Sequence, residues 1–336
     1  MDFLNALVLL GNFVLIPAVS YGSQLALGAL GITLVYGILR FSHFAHGDVM
    51  AFGTMAVILC TWWLQSLGVS IDPLPTALLA LPVGIVVTAL LLLGVDRSVY
   101  RFYRKVRAAP IVVVMASLGV MFVVNGLTRL VIGPDDQNFA DGARFLFTVR
   151  DFRDATGLDE GLGIRWSQLI TISVTLIVVG ALFWFLNRTR TGKSMRAFSD
   201  NEDLALLSGI NPERVVMVTW LIVAVLVTVA GTLYGLDKSF KPFTYFQLLL
   251  PMFAAAILGG LGNPLGAVAG AYVIALSEVG VTYAFRKFFE YLLPESLEPQ
   301  GLMQLLSTDY KFAVSFVLLV LVLLFRPTGL FKGQSV

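Results

Sequence analysis

The chain has 336 residues, 57% of them hydrophobic and 13% charged, with a formal net charge of +2 and a mean hydropathy of +0.85. Such usage lies outside the soluble globular range and excludes a soluble domain on a single anchor; it describes an all-α, polytopic membrane bundle. The small basic excess sits in particular loops, so it reports topology and not nucleic-acid binding, and the single Cys60 excludes an internal disulfide and any cysteine-based metal cluster.

Apolar runs near the ~20 residues that a bilayer requires predict spans at 22–40, 49–67, 74–95, 110–132, 167–186, 214–236, 246–262, 264–285 and 310–326. Residues 3–20 are a further candidate, interrupted by Pro17, and read either as a tenth span or as an interfacial helix. They lack a basic leading segment and a small-residue cleavage site, so no cleavable signal peptide is expected. No internal repeat, low-complexity tract or separate soluble domain is evident. Residues 1–336 are expected to form one transmembrane domain of about 8–10 helices in the lipid bilayer.

Loop charges orient these spans. Residues 96–109 carry Arg97, Arg101, Arg104, Lys105 and Arg107 against one acid, Asp96, and are expected on the cytoplasmic side. The loop 133–166 holds Asp135, Asp136, Asp141, Asp151, Asp154, Asp159 and Glu160 and is expected outside. The 187–213 loop returns inside, the 286–309 loop with Glu290, Glu295 and Glu298 lies outside, and Arg326 and Lys332 place the C-terminus inside. If 3–20 spans, the N-terminus is inside; if it does not, the N-terminus is outside.

The 187–213 loop contains a short charged segment. Ser199 and Glu202 match a Ser-x-x-Glu capping box, which predicts a helix from Asp200 that Gly209 terminates. Nine residues rise about 13 Å, too little to cross a bilayer. Arg188, Arg190, Lys193 and Arg196 flank it. It reads either as an ordinary inter-span turn or as a knob for a soluble partner.

Four other motifs carry chemistry or packing. Gly259-Gly260-Leu261-Gly262-Asn263-Pro264 is a tight reversal, and Gly262, Gly266 and Gly270 form overlapping G-x-x-x-G patterns that let backbones approach. Gly231 and Gly235 form a weaker one. His43-Phe44-Ala45-His46-Gly47-Asp48 holds both histidines, but Asp48 does not share the helical face of His43 and His46, which disfavours a metal site. A re-entry between spans, with Asp48 capping the next helix, fits better. Gly192-Lys193-Ser194 ends like a phosphate-binding loop, yet Asn187 stands where its first glycine belongs and a membrane span precedes it, so the chain itself is not expected to bind or hydrolyse ATP. Charges within spans are scarce, with Glu278 the clearest and near the outer end of its helix, where it can reach water. Arg129 lies near a span end. Scarcity disfavours an ion-coupled carrier, which needs acidic relays. No triad or third ligand supports a membrane enzyme.

Taken together, several of these segments resemble a family. Leu34-Val35-Tyr36-Gly37, Phe44-Ala45-His46-Gly47-Asp48, Gly192 with Arg196-Ala197, Leu207-Ser208-Gly209-Ile210-Asn211, Ala254 to Gly262, Pro264-Leu265-Gly266-Ala267 and Arg326-Pro327-Thr328-Gly329-Leu330 occur in family order. The chain thereby resembles the permease subunits of bacterial branched-chain amino-acid ABC importers, most closely the first of their two paralogous permeases. His43 stands where Asn is common, Pro251 where Lys often lies, and the Glu290 to Pro299 loop is long. These departures leave the substrate open between hydrophobic amino acids and urea or short amides.

The resemblance implies an inner-membrane importer core in which this non-enzymatic chain pairs with a paralogous permease. Two ATP-binding subunits would carry ATP and Mg below, and a periplasmic binding protein would dock above. Gly192, Arg196, Ala197, Asp200, Glu202, Leu204, Ala205, Gly209 and Ile210 would then couple to an ATPase, with Ala205 at the docking surface. Phe44, His46, Gly47, Asp48, Gly259, Gly260, Gly262, Gly266 and Gly270 would serve the pathway or its packing.

Overall fold

A computed structural model describes residues 2–71, 74–139, 145–293, 301, 303–326 and 328–331. Asp141, Glu295, Glu298, Pro299, Pro327 and Lys332 lie outside the described residues. Among those described, nine helices are long and apolar enough to cross a membrane. They are α1 (Asp2–Leu39), α2 (His46–Ser66), α3 (Ala77–Lys105), α4 (Pro110–Ile132), α6 (Trp166–Arg188), α9 (Pro212–Asp237), α10 (Pro242–Gly259), α11 (Pro264–Thr282) and α13 (Thr308–Phe325). Shorter helices are α5 (Val149–Thr156), α7 (Arg190–Asp200), α8 (Glu202–Leu207) and α12 (Arg286–Glu290).

Residues 3–20 form no separate span: they run without reversal into α1. A π-helical turn at Gly11–Leu15 precedes Pro17. Its longer hydrogen-bond step accommodates the missing Pro17 N–H, so the chain continues where an α-helix would break. The N-terminal turn packs on the acid-rich loop, where Asn5 donates to Asp159 at 3.1 Å and Asn12 accepts from the Gly163 N–H at 3.0 Å. In that loop β1 (Phe145–Phe147) pairs antiparallel with β2 (Ile164–Arg165), and Thr148 and Asp151 cap α5 reciprocally. Glu160 accepts from Tyr291 Oη at 3.0 Å, so this loop, α12 and the N-terminus share one end of the bundle. The basic loops share the other: Arg101 pairs with Glu213 at 3.2 Å, and Arg40 donates to the Ser199 carbonyl.

The core gathers around α9 and the long regular part of α1, in which nearly every residue from Ala18 to Ile38 is buried. Most other spans bury one narrow face and expose Leu, Val and Phe on the rest, as lipid-facing helices do. The tightest approach joins α10 to α11. A Cβ on Gly266 would collide with the Gly259 carbonyl, and one on Gly270 with the Ala255 carbonyl. Gly262 does not belong to that face. It sits before α11 in a left-handed conformation (φ 84°), so the close-packed set is Gly259, Gly266 and Gly270.

Candidate functional site

The segment between α6 and α9 is two short helices at the basic end. Thr189 caps α7 by accepting from the Gly192 N–H at 3.0 Å. Gly192 itself lies against the Phe185 and Leu186 backbone, where a Cβ would come within 2.6 Å of Leu186 Cα. Met195 and Phe198 are buried and anchor α7 to the core. Arg196 Nη1 donates to Asn187 Oδ1 at 2.9 Å, while Arg196, Ala197 and Asp200 lie on the exposed side.

The predicted capping box does not form, and the helix does not start at Asp200. Asp200 ends α7, and Asn201 caps α8 by accepting from the Leu204 N–H at 3.0 Å. Asn201 is extended (φ −153°), so it breaks the helix one residue after Asp200 and restarts it. Glu202 is then the first residue of α8, too early to reach back as a box partner. The C-terminal expectation matches the geometry: Gly209 adopts φ 79°, its N–H bonds to the Leu206 carbonyl at 3.0 Å, and Ile210 N–H bonds to the Ala205 carbonyl at 3.1 Å. These two bonds make a complete Schellman ending.

Side-chain directions on α8 correct a second expectation. Ala205 is 3% exposed and joins the chain's own core, so it offers no docking surface. Leu204, Leu206 and Leu207 point outward at 60%, 42% and 84% exposure. Ile210 is half-buried behind them.

The re-entry segment 40–45 leaves α1 at Leu39 and folds back along it. His46 Nε2 donates to the Gly28 carbonyl at 3.0 Å, eleven residues before the helix end, or about 16 Å along its axis. Asp48 is not the cap of α2 but lies in its first turn, buried, accepting from Asn125 Nδ2 at 2.5 Å. Gly47 admits the Tyr245 carbonyl, which a Cβ would meet at 2.5 Å. Phe44 packs against Phe253 with the rings tilted and their centroids 5.5 Å apart. Phe44 apart, this set is buried. Gly259 and Gly260 are buried likewise, whereas Gly262 borders an open cavity beneath α7. Glu278 also differs from expectation: it is 1% exposed, and Ser315 Oγ donates to it.

One cluster escaped the sequence reading. A second π-turn at Asp96–Tyr100 rotates Asp96 and Tyr100 into the bundle. Asp96 accepts two bonds from Arg104, at 2.5 and 2.9 Å, and a third from Trp220 Nε1 at 2.8 Å. Tyr100 stacks on Trp220 at 5.6 Å and lies 3.1 Å from His43 Nε2. A lone acid in a basic loop was the available signal; its partner Trp220 is 124 residues away. No group of three His, Cys, Asp or Glu is placed to hold a metal ion among the described residues.

Against this geometry stand the relatives. The family model "Branched-chain amino acid transport system / permease component" matches residues 15–323. The high-affinity branched-chain amino acid transport system permease protein BraD of Pseudomonas aeruginosa is 29% identical, over 96% of this chain and 96% of its own. LivH of Escherichia coli K12, a permease protein of the same description, is 29% identical over 95% of this chain and 94% of its own. A probable LivH of Methanocaldococcus jannaschii is 26% identical over 83% of each. No solved structure matches the chain. A family match across residues 15–323, together with nine membrane-crossing helices among the described residues, makes this multi-pass membrane protein an ABC permease subunit, the non-catalytic transport component: the chain belongs to the family of permease components of branched-chain amino-acid transport systems.

Proposed function

We propose that this chain is one of two paralogous membrane subunits of an ATP-driven importer of branched-chain and related hydrophobic amino acids. As an ABC permease component it works with ATPase and binding-protein partners. In this reading there are two ATPase subunits, one periplasmic binding protein and a second permease. The basic end faces the cytoplasm, following the Lys/Arg bias of its loops, and the acid-rich end receives the binding protein.

The observation that carries the reading is α8. Three leucines stand exposed on a helix capped at both ends and anchored by Ala205, next to the basic residues Arg188, Arg190, Lys193 and Arg196 of the same segment. An apolar knob so placed suits a groove on a soluble partner. Leu207→Asp together with Leu204→Asp tests it. The variant is expected to insert and melt like the parent but to co-purify at least about tenfold less ATPase. Normal co-purification and normal leucine uptake in proteoliposomes would remove α8 from the interface. Running urea and acetamide beside leucine, isoleucine and valine in the same uptake assay tests the substrate class.

A further inference from the structure

A cavity of about 670 Å³ opens beneath α7, between it and the basic ends of α1, α6 and α11. Its size falls in the range of small-molecule sites. One wall is apolar, formed by Leu34, Ile38, Leu186 and Met195. The rim is charged with both signs on one face of α7: Lys193, Arg196 and Asp200, spaced three and four residues apart. Arg196 is oriented by Asn187. Among the described residues neither Lys193 nor Asp200 has an ion-pair partner. Gly37 and Gly262 face each other across the floor, with Gly262 Cα 3.8 Å from a Cβ placed on Gly37.

We infer that this cavity binds a hydrophobic amino acid on the ATPase side of the membrane, as a site that senses accumulated product. The inference rests on the permease reading above. An apolar wall beside cationic and anionic groups that are not paired with each other matches a zwitterion with an aliphatic tail. The carboxylate goes to Lys193 and Arg196, the ammonium to Asp200, and the side chain to the leucine-lined wall. An anionic lipid fits less well, because Asp200 repels its phosphate. Position supplies the consequence. The occupant touches α7 on one side and α1, α6 and α11 on the other, so it fastens the α7–α8 segment to the bundle. A ligand that favours one placement of that segment shifts its equilibrium toward that placement. If ATP hydrolysis requires α7–α8 to move relative to the spans, product bound here slows the cycle.

The first test is equilibrium binding of radiolabelled L-leucine to the assembled permease–ATPase complex in nanodiscs, without binding protein or ATP. One saturable site per copy of this chain is expected. 4-Methylpentanoate, which lacks the ammonium, and isoamylamine, which lacks the carboxylate, are each expected to compete about tenfold more weakly than leucine. Asp200→Asn and Lys193→Met each weaken leucine binding about tenfold, and Lys193→Met abolishes the preference for leucine over isoamylamine. Both residues lie at the surface, so melting temperature checks that the fold is retained.

The second test encloses leucine on the ATPase side of proteoliposomes and reads ATP hydrolysis. Hydrolysis is expected to fall, with the half-effect moved about tenfold higher in Lys193→Met. The inference is overturned by absence of leucine binding, by binding that ignores both substitutions, or by a co-purifying phosphatidylglycerol that leucine fails to displace. Binding without transport leaves this site standing and refutes the importer reading; transport without binding does the reverse.

Discussion

Gly266→Ala should loosen the bundle although it improves the helix. Position 266 lies in the first turn of α11, where alanine favours helix by up to ~1 kcal/mol over glycine. The new methyl, however, enters the Gly259 carbonyl, stands 2.8 Å from the Gly259 carbonyl carbon and 3.2 Å from Phe331 Cβ. Two of these three neighbours are backbone atoms, so no rotamer change relieves the clash and α10 must shift away from α11. Overpacking of this kind costs about 1–3 kcal/mol, and a rigid backbone contact belongs at the upper end. After the helix-propensity gain the net loss is about 1–2 kcal/mol. Gly280, in the same helix, has nothing within 4 Å of its prospective Cβ, so Gly280→Ala is expected to be neutral or slightly stabilising. Thermal unfolding of the purified chain in one detergent, followed by tryptophan fluorescence, compares the two. Equal melting temperatures for Gly266→Ala and Gly280→Ala would show that α10 and α11 are not in backbone contact.

Further outcomes follow from the same geometry. Asn201→Ala should cost α8 about 1 kcal/mol, and Glu202→Ala much less, because Asn201 supplies the cap; amide exchange at 204–207 separates them. Ala205→Arg should lower the melting temperature of the isolated chain, since it forces a cation among buried neighbours; unchanged melting would mean that Ala205 faces outward after all. Trp220→Phe removes the indole donor to Asp96 and should cost about 1–2 kcal/mol, read by thermal unfolding, with the Arg104 pair retained. Asp151 lies in the exposed loop, and its hydrogen bonds from the Thr148 side chain and backbone hold its carboxyl below the usual range. Its folded-state pKa is depressed, so its support for α5 is complete above the ordinary carboxylate pKa and is lost as pH falls through the lower folded-state value. The protection factors of the 149–156 amides, corrected for the intrinsic pH dependence of exchange, should therefore fall on acidification in the parent and lose that dependence in Asp151→Asn.

Span positions, the pairing of loops by charge and the family were legible in the chain itself. Hydropathy over some twenty residues reports which segments leave water, and Lys/Arg bias sorts their loops, without knowledge of any contact. Gly209 as a helix terminator was legible for the same reason, since a left-handed residue is a local requirement that glycine meets alone with little strain. Other features depended on partners far along the chain. Whether Ala205 or Leu207 faces inward is decided by where α7 seats Met195 and Phe198, because a six-residue helix has no periodicity long enough to choose a face. Ser199 and Asn201 are both competent caps by residue type, and the break between α7 and α8 selected Asn201. Asp96 became the hub of a buried cluster only because a π-turn swung it toward Trp220, and Gly259 replaced Gly262 in the glycine seam because the turn before Pro264 takes Gly262 off the helix. Local composition determined which segments enter the membrane; the packing of those segments determined which side chains meet.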